Sequence, residues 1–60
     1  MNLANYNGLK VKVILKNSHY YYIGLVLNAE EDSIDLRDMK GNLVSLSKDS
    51  ILTIQEVKNA

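Results

Sequence analysis

The 60-residue chain contains no cysteine and no proline. Without thiols it can have neither a disulfide framework nor a zinc site built on thiolates. Charge of one sign is also missing: seven Lys and Arg balance seven Asp and Glu. A strongly basic nucleic-acid clamp and a polybasic membrane anchor are therefore not expected. No apolar run approaches the roughly 20 residues of a membrane-spanning helix. The opening residues Met1-Asn2-Leu3-Ala4-Asn5 have no basic stretch ahead of an apolar core. The expectation is a cytoplasmic protein without a secretory leader or membrane association.

What is present is the composition of a globular domain. Apolar residues make up 47% of the chain, too many for a disordered segment. The length allows one domain over residues 1–60, with a core expected over 8–57. A domain this small buries only about 60% of the surface its unfolded chain exposes. Such chains usually need a disulfide, a metal or a partner subunit. With thiols absent and no metal or other cofactor indicated, oligomerisation is the expected solution.

The hydrophobic pattern is that of an all-β protein. Residues 2–8 have the makings of a short helical turn, with Asn2 to cap it, Leu3 and Tyr6 three apart, and Gly8 to end it. From Leu9 the period becomes two: Leu9, Val11, Val13 and Leu15 alternate with Lys10, Lys12, Ile14 and Lys16. Asn17-Ser18-His19 reads as a turn, and Tyr20 to Leu27 as a strand that is apolar on both faces. Two-sided apolar strands must be covered twice. An acidic turn over residues 28–32 precedes a third strand over 33–38, a tight hairpin at 39–42, and a fourth strand over 43–47. A sharp turn at 48–50 leads to a fifth strand over 51–57. Gly24, between apolar neighbours in mid-strand, marks a bend. The predicted architecture is a small, strongly bent, five-stranded antiparallel barrel.

This order of features resembles the Sm-like (LSm) family, including its Hfq branch. The resemblance runs through Gly8-x-x-Val11-x-Val13-x-Leu15-Lys16-Asn17 and Tyr22-x-Gly24-x-Val26. It continues with Glu30, then Ile34-x-Leu36, then Gly41-x-x-Val44-x-Leu46-x-x-Asp49-x-Ile51. It implies a closed homo-oligomeric ring of about five to eight copies, in which the fourth strand of one subunit pairs with the fifth of the next. It also implies single-stranded RNA as ligand. In Sm-type members the first motif ends in Asp-x-x-Met-Asn. Here Glu30-Glu31-Asp32-Ser33 stands there, with Ser33 nearest the base-holding asparagine. The second motif, Arg-Gly-Asp or Tyr-Lys-His in the family, reads Ser47-Lys48-Asp49.

The residues themselves nominate a second place for RNA. Along a strand, Tyr21 faces opposite to Tyr20 and Tyr22. An exposed tyrosine can stack on a base, and Lys10, Lys12 and Lys16 can meet phosphates. The alternative use of the tyrosines is packing and subunit contact; that of the lysines is a solvated strand face. The candidate RNA-binding residues are Lys12, Lys16, His19, Tyr21, Ser33 and Lys48. At the two family motifs, carboxylates outnumber the one lysine, so RNA is expected on the lysine and tyrosine face. Asp32, Asp35 and Asp38 alternate faces at their spacing and do not form a metal site. No catalytic constellation is legible, so an enzyme is not expected. Two functions stand: weak, non-specific single-stranded RNA binding by a ring, or a structural or protein-interaction oligomer that has lost RNA binding.

Overall fold

The computed structural model describes residues 2–18 and 20–58. Five antiparallel strands form one sheet: β1 (Lys10–Leu15), β2 (Tyr21–Ala29), β3 (Ser33–Asp38), β4 (Leu43–Ser47) and β5 (Ile51–Glu56). Their order across the sheet is β4-β3-β2-β1-β5. The β4 and β5 strands are thus its two edges, and the ladder is open between them. The described residues span 28 × 22 × 21 Å. A layer of protein sheet is about 10 Å deep, so a shortest dimension of 21 Å means that the sheet curls around its own inner face. Among the described residues, no helix is long and apolar enough to cross a membrane.

The alternation that defines the strands also fills the core. Val11 and Val13 of β1, Val26 and Ala29 of β2, Ile34 and Leu36 of β3, and Ile51 of β5 are buried together with Leu3. Leu15, Tyr22, Val44, Leu46 and Ile54 pack around them, half-buried. The 3-10 turn over Leu3–Tyr6 drives Leu3 into one end of this core. As the capping argument anticipates, Asn2 Oδ1 accepts a hydrogen bond from the Ala4 N–H at 3.0 Å. Gly8 leaves the turn at φ +79, a conformation that glycine adopts without steric cost. Its N–H donates to Val26 O at 3.1 Å, and the Leu3 N–H donates to Glu31 O at 3.2 Å, tying the N-terminal turn to β2 and the loop after it.

Two irregularities set the shape. The β2–β3 register shifts between Val26 and Asn28, where an extra residue leaves Leu27 and Asn28 both exposed before Ala29 turns inward. Bulges of this kind bend a strand and increase its twist. The β1–β5 register shifts between Ile14 and Leu15. Gly24 lies at the close approach between β2 and β3, opposite Asp38. Five boundaries differ from the sequence pattern. The first strand runs from Lys10 to Leu15 rather than from Leu9 to Lys16, the second starts at Tyr21 rather than Tyr20 and runs on to Ala29 through the bulge, and the fifth ends at Glu56 rather than Val57.

Candidate nucleic-acid interface

Among the described residues, the predicted site residues Lys12 and Tyr21 lie toward the Asp38 end of β3 and Ser33 and Lys48 at its other end, while Lys16 lies between them, bonded to Ser50 two residues from Lys48. The first group surrounds the tyrosines at the turn end of the β1–β2 hairpin. Tyr20 and Tyr21 are both more than half exposed, at 54% and 53%. Their rings stack with centroids 6.5 Å apart and planes at 30°. Tyr22, half-buried against the core, meets Tyr20 edge to face at 5.0 Å. Tyr22 thus anchors the cluster, while Tyr20 and Tyr21 stay exposed.

Register places a cation over this platform. Lys12 pairs with Ile23 across the β1–β2 ladder, and Ile14 with Tyr21. Lys12 and Tyr21 are therefore diagonal neighbours on the outer face, within reach of long side chains. Lys12 Nζ stands 4.8 Å from the centroid of the Tyr21 ring. The attraction is worth about 0.5–1 kcal/mol at an exposed site, and it holds a positive charge beside an aromatic face. Lys16 is exposed just beyond β1, its N–H donating to Ser50 O at 3.0 Å. His19, the remaining candidate near this end, lies outside the described residues.

The hairpin between β3 and β4 completes the site. An open groove of about 370 Å³ runs between Tyr20, Tyr21, Tyr22 and Ile23 on one side and Asp38, Met39 and Lys40 on the other. Asp38 shapes that wall: its Oδ1 accepts from the N–H groups of Lys40 and Asn42, both at 2.9 Å. Gly41 follows at φ +87. Met39, 70% exposed, is left as an apolar, polarisable tip beside the tyrosines. Sequence reading places Met39 and Lys40 only in a turn. Their meeting with the tyrosines depends on the pairing of Gly24 with Asp38, which no local pattern reveals.

The second group lies at the other end of β3, about 17 Å away at the rise of a strand. Ser33 pairs with Ser47, and both are exposed. Lys48 Nζ reaches Asp32 Oδ1 at 3.3 Å, and the Lys48 N–H donates to Asp32 O at 2.8 Å. Asp32, Ser47, Lys48 and Asp49 line a shallow depression of about 300 Å³. Its one cation is already engaged by a carboxylate, and a second carboxylate stands beside it. Set against models of known protein families, curated proteins and solved structures, the chain matches none of them.

Proposed function

We propose that this protein is an Sm-like subunit that binds single-stranded RNA weakly and with little sequence preference, on the face formed by Tyr20, Tyr21 and Lys12. The observation that carries the reading is the ammonium of Lys12 held 4.8 Å over the exposed Tyr21 ring. Successive bases gain about 1–3 kcal/mol each by stacking on aromatic side chains. An adjacent cation neutralises the phosphate that travels with the base. Every base has a π face, so such a platform discriminates little among sequences. The Tyr20 ring extends the platform, and the groove toward Met39 gives a base a second wall.

The reading includes a ring. An open sheet with β4 and β5 as its two edges leaves unpaired backbone groups on both sides. Pairing β4 of one copy with β5 of the next satisfies both edges at once, and a head-to-tail contact of this type closes when the rotation allows. Repetition around a ring also multiplies weak sites into useful avidity. The paired Lys48 and Asp32 favour a second reading, in which the ring serves protein contacts and the RNA pockets of the family are gone.

Binding of fluorescein-labelled oligo-U and oligo-A, followed by anisotropy over a salt series, separates the two. The RNA reading expects binding of both oligomers that weakens steeply as salt rises. Absence of binding at low salt leaves the protein-contact reading. Light scattering on the same sample tests the ring, which requires a mass of several times the 6.8 kDa of one chain.

A further inference from the structure

Beyond the tyrosines, the outer face of the sheet carries an apolar stripe. Tyr21, Ile23, Leu25 and Leu27 follow one another along one side of β2, opposite to the inward Tyr22, Gly24 and Val26. One rung crosses four strands: Lys10 is opposite Leu25, Leu25 opposite Arg37, and Arg37 opposite Leu43. Leu25 and Leu27 are nearly half exposed, and Leu43 is 70% exposed. Aliphatic side chains neither stack on bases nor hydrogen-bond to them. A contiguous apolar stripe with a polar rim is the mark of an interaction surface.

The charges around the stripe say what covers it. Lys10 and Lys12 border it on β1, and Arg37 borders it on β3. Among the described residues the one ion pair is Lys48 with Asp32, at the far end of β3. The three bordering cations therefore have no carboxylate partner. Asp35, further along β3, is engaged by the Ser45 hydroxyl, which donates to its Oδ1 at 2.7 Å. A second copy docked face to face would set like charges against one another. The β2 backbone is paired on both sides, with β1 and β3, so the occupant does not add as a strand. From Tyr21 to Leu27 the stripe is about 20 Å long at the rise of a strand, which matches a helix of about 13 residues at 1.5 Å each.

We propose that this face docks an acidic amphipathic helix of another protein. Its leucine-like side chains, at i, i+3, i+4 and i+7, lie along Ile23, Leu25 and Leu27. Its Asp and Glu side chains, on both flanks, meet Lys10 and Lys12 on one side and Arg37 on the other.

The test uses two fluorescein-labelled helical peptides of about 14 residues with the same leucine face, one flanked by glutamates and one by lysines. Anisotropy is expected to show micromolar binding of the glutamate peptide and at least tenfold weaker binding of the lysine peptide. The double change Lys10→Glu with Arg37→Glu should reverse that preference, and Leu25→Ser should weaken the glutamate peptide about tenfold. A reversed preference also shows that the variant is folded, since an unfolded chain would gain neither peptide. Should the double variant lose its β-sheet spectrum, Arg37→Gln on the exposed face gives the same reading with a smaller loss. The proposal is overturned if the glutamate peptide does not bind at 100 μM, or if Leu25→Ser or Arg37→Gln leaves its binding unchanged. It is also overturned if phosphatidylglycerol vesicles capture the protein while the glutamate peptide does not.

Discussion

Gly24 stands opposite Asp38 across the β2–β3 ladder, so close to β3 that a Cβ on the glycine would overlap the carbonyl oxygen of Arg37. The same Cβ would come within 2.8 Å of Asp38 Cα. Both neighbours are backbone, so neither can swing aside. Gly24→Ala must push β3 away from β2 at the point where the sheet curls. Overpacking of this kind costs about 1–3 kcal/mol, from a total of about 3–9 kcal/mol for a domain of this size. Thermal unfolding by circular dichroism should show a fall of about 4 °C or more, at about 4–8 °C per kcal/mol. A melting temperature within 2 °C of the parent would show that the strands separate there at no cost.

Leu3 is fully buried although it belongs to a turn of only four residues. Isolated turns of this length are not stable, so Leu3 stays in place because the core holds it. Leu3→Ala removes three carbons from a site with no solvent contact, a change that costs about 2–5 kcal/mol. Asn5→Ala, in the same turn but exposed, should stay within about 0.5 kcal/mol of the parent. Urea unfolding at one fixed protein concentration checks both. Equal losses for the two variants would mean that the turn itself, and not the Leu3 side chain, supplies the stability.

The Asp38 carboxylate holds the β3–β4 hairpin by accepting from two backbone N–H groups. Asp38→Ala leaves both donors to water and should cost about 1–2 kcal/mol. Asp38→Asn keeps an oxygen acceptor in the same place and should recover most of that loss. Because the hairpin forms one wall of the tyrosine groove, the alanine variant should also lose any ligand that touches Met39 or Lys40. Amide hydrogen exchange at Lys40 and Asn42 reads the hairpin directly. Unchanged protection in the alanine variant would show that Gly41 and the strand ladder are sufficient without the carboxylate.

The strands are legible where both faces of the pattern agree. In β3 and β4 the inward Ile34, Leu36, Val44 and Leu46 alternate with exposed residues without a break, and their predicted limits match those observed. The β2 pattern fails at Leu27 and Asn28 because a bulge places one residue out of phase, which strict alternation cannot foresee. The tyrosine triplet stands out in the sequence, and Tyr21 is exposed as its parity requires. Its partnership with Lys12 rests on register, which depends on the geometry of the turn between β1 and β2 rather than on either strand. Ser33 and Lys48 are nominated through the family resemblance, and they lie at the end of β3 opposite to Asp38.

The two ends of β3 make opposite forecasts for RNA. At the Ser33 end, Lys48 is paired with Asp32 at 3.3 Å, and Asp49 stands in the same depression. A phosphate arriving in that depression must displace a carboxylate from Lys48, the one cation among the described residues that line it, and meets another carboxylate beside it. At the tyrosine end, Lys12 has no carboxylate partner among the described residues and stands over an aromatic ring, while Lys16 is exposed in the β1–β2 turn, bonded through its N–H to Ser50. Replacing Lys12 and Lys16 together by glutamate should abolish oligo-U binding, and Tyr21→Ala should weaken it by the worth of a stacked base, about 1–3 kcal/mol. The single changes Lys12→Gln and Lys16→Gln should each flatten the salt dependence, since every phosphate left without its cation lowers the slope by about 0.7 for a single strand. Lys48→Ala should leave the affinity within about twofold, because its charge is already neutralised. These affinities are measured by anisotropy at low salt, with circular dichroism to show that each variant keeps its sheet. If Lys48→Ala removes binding while the Lys12 and Lys16 double change retains it, RNA uses the Ser33 end, and the ion pair with Asp32 opens on binding.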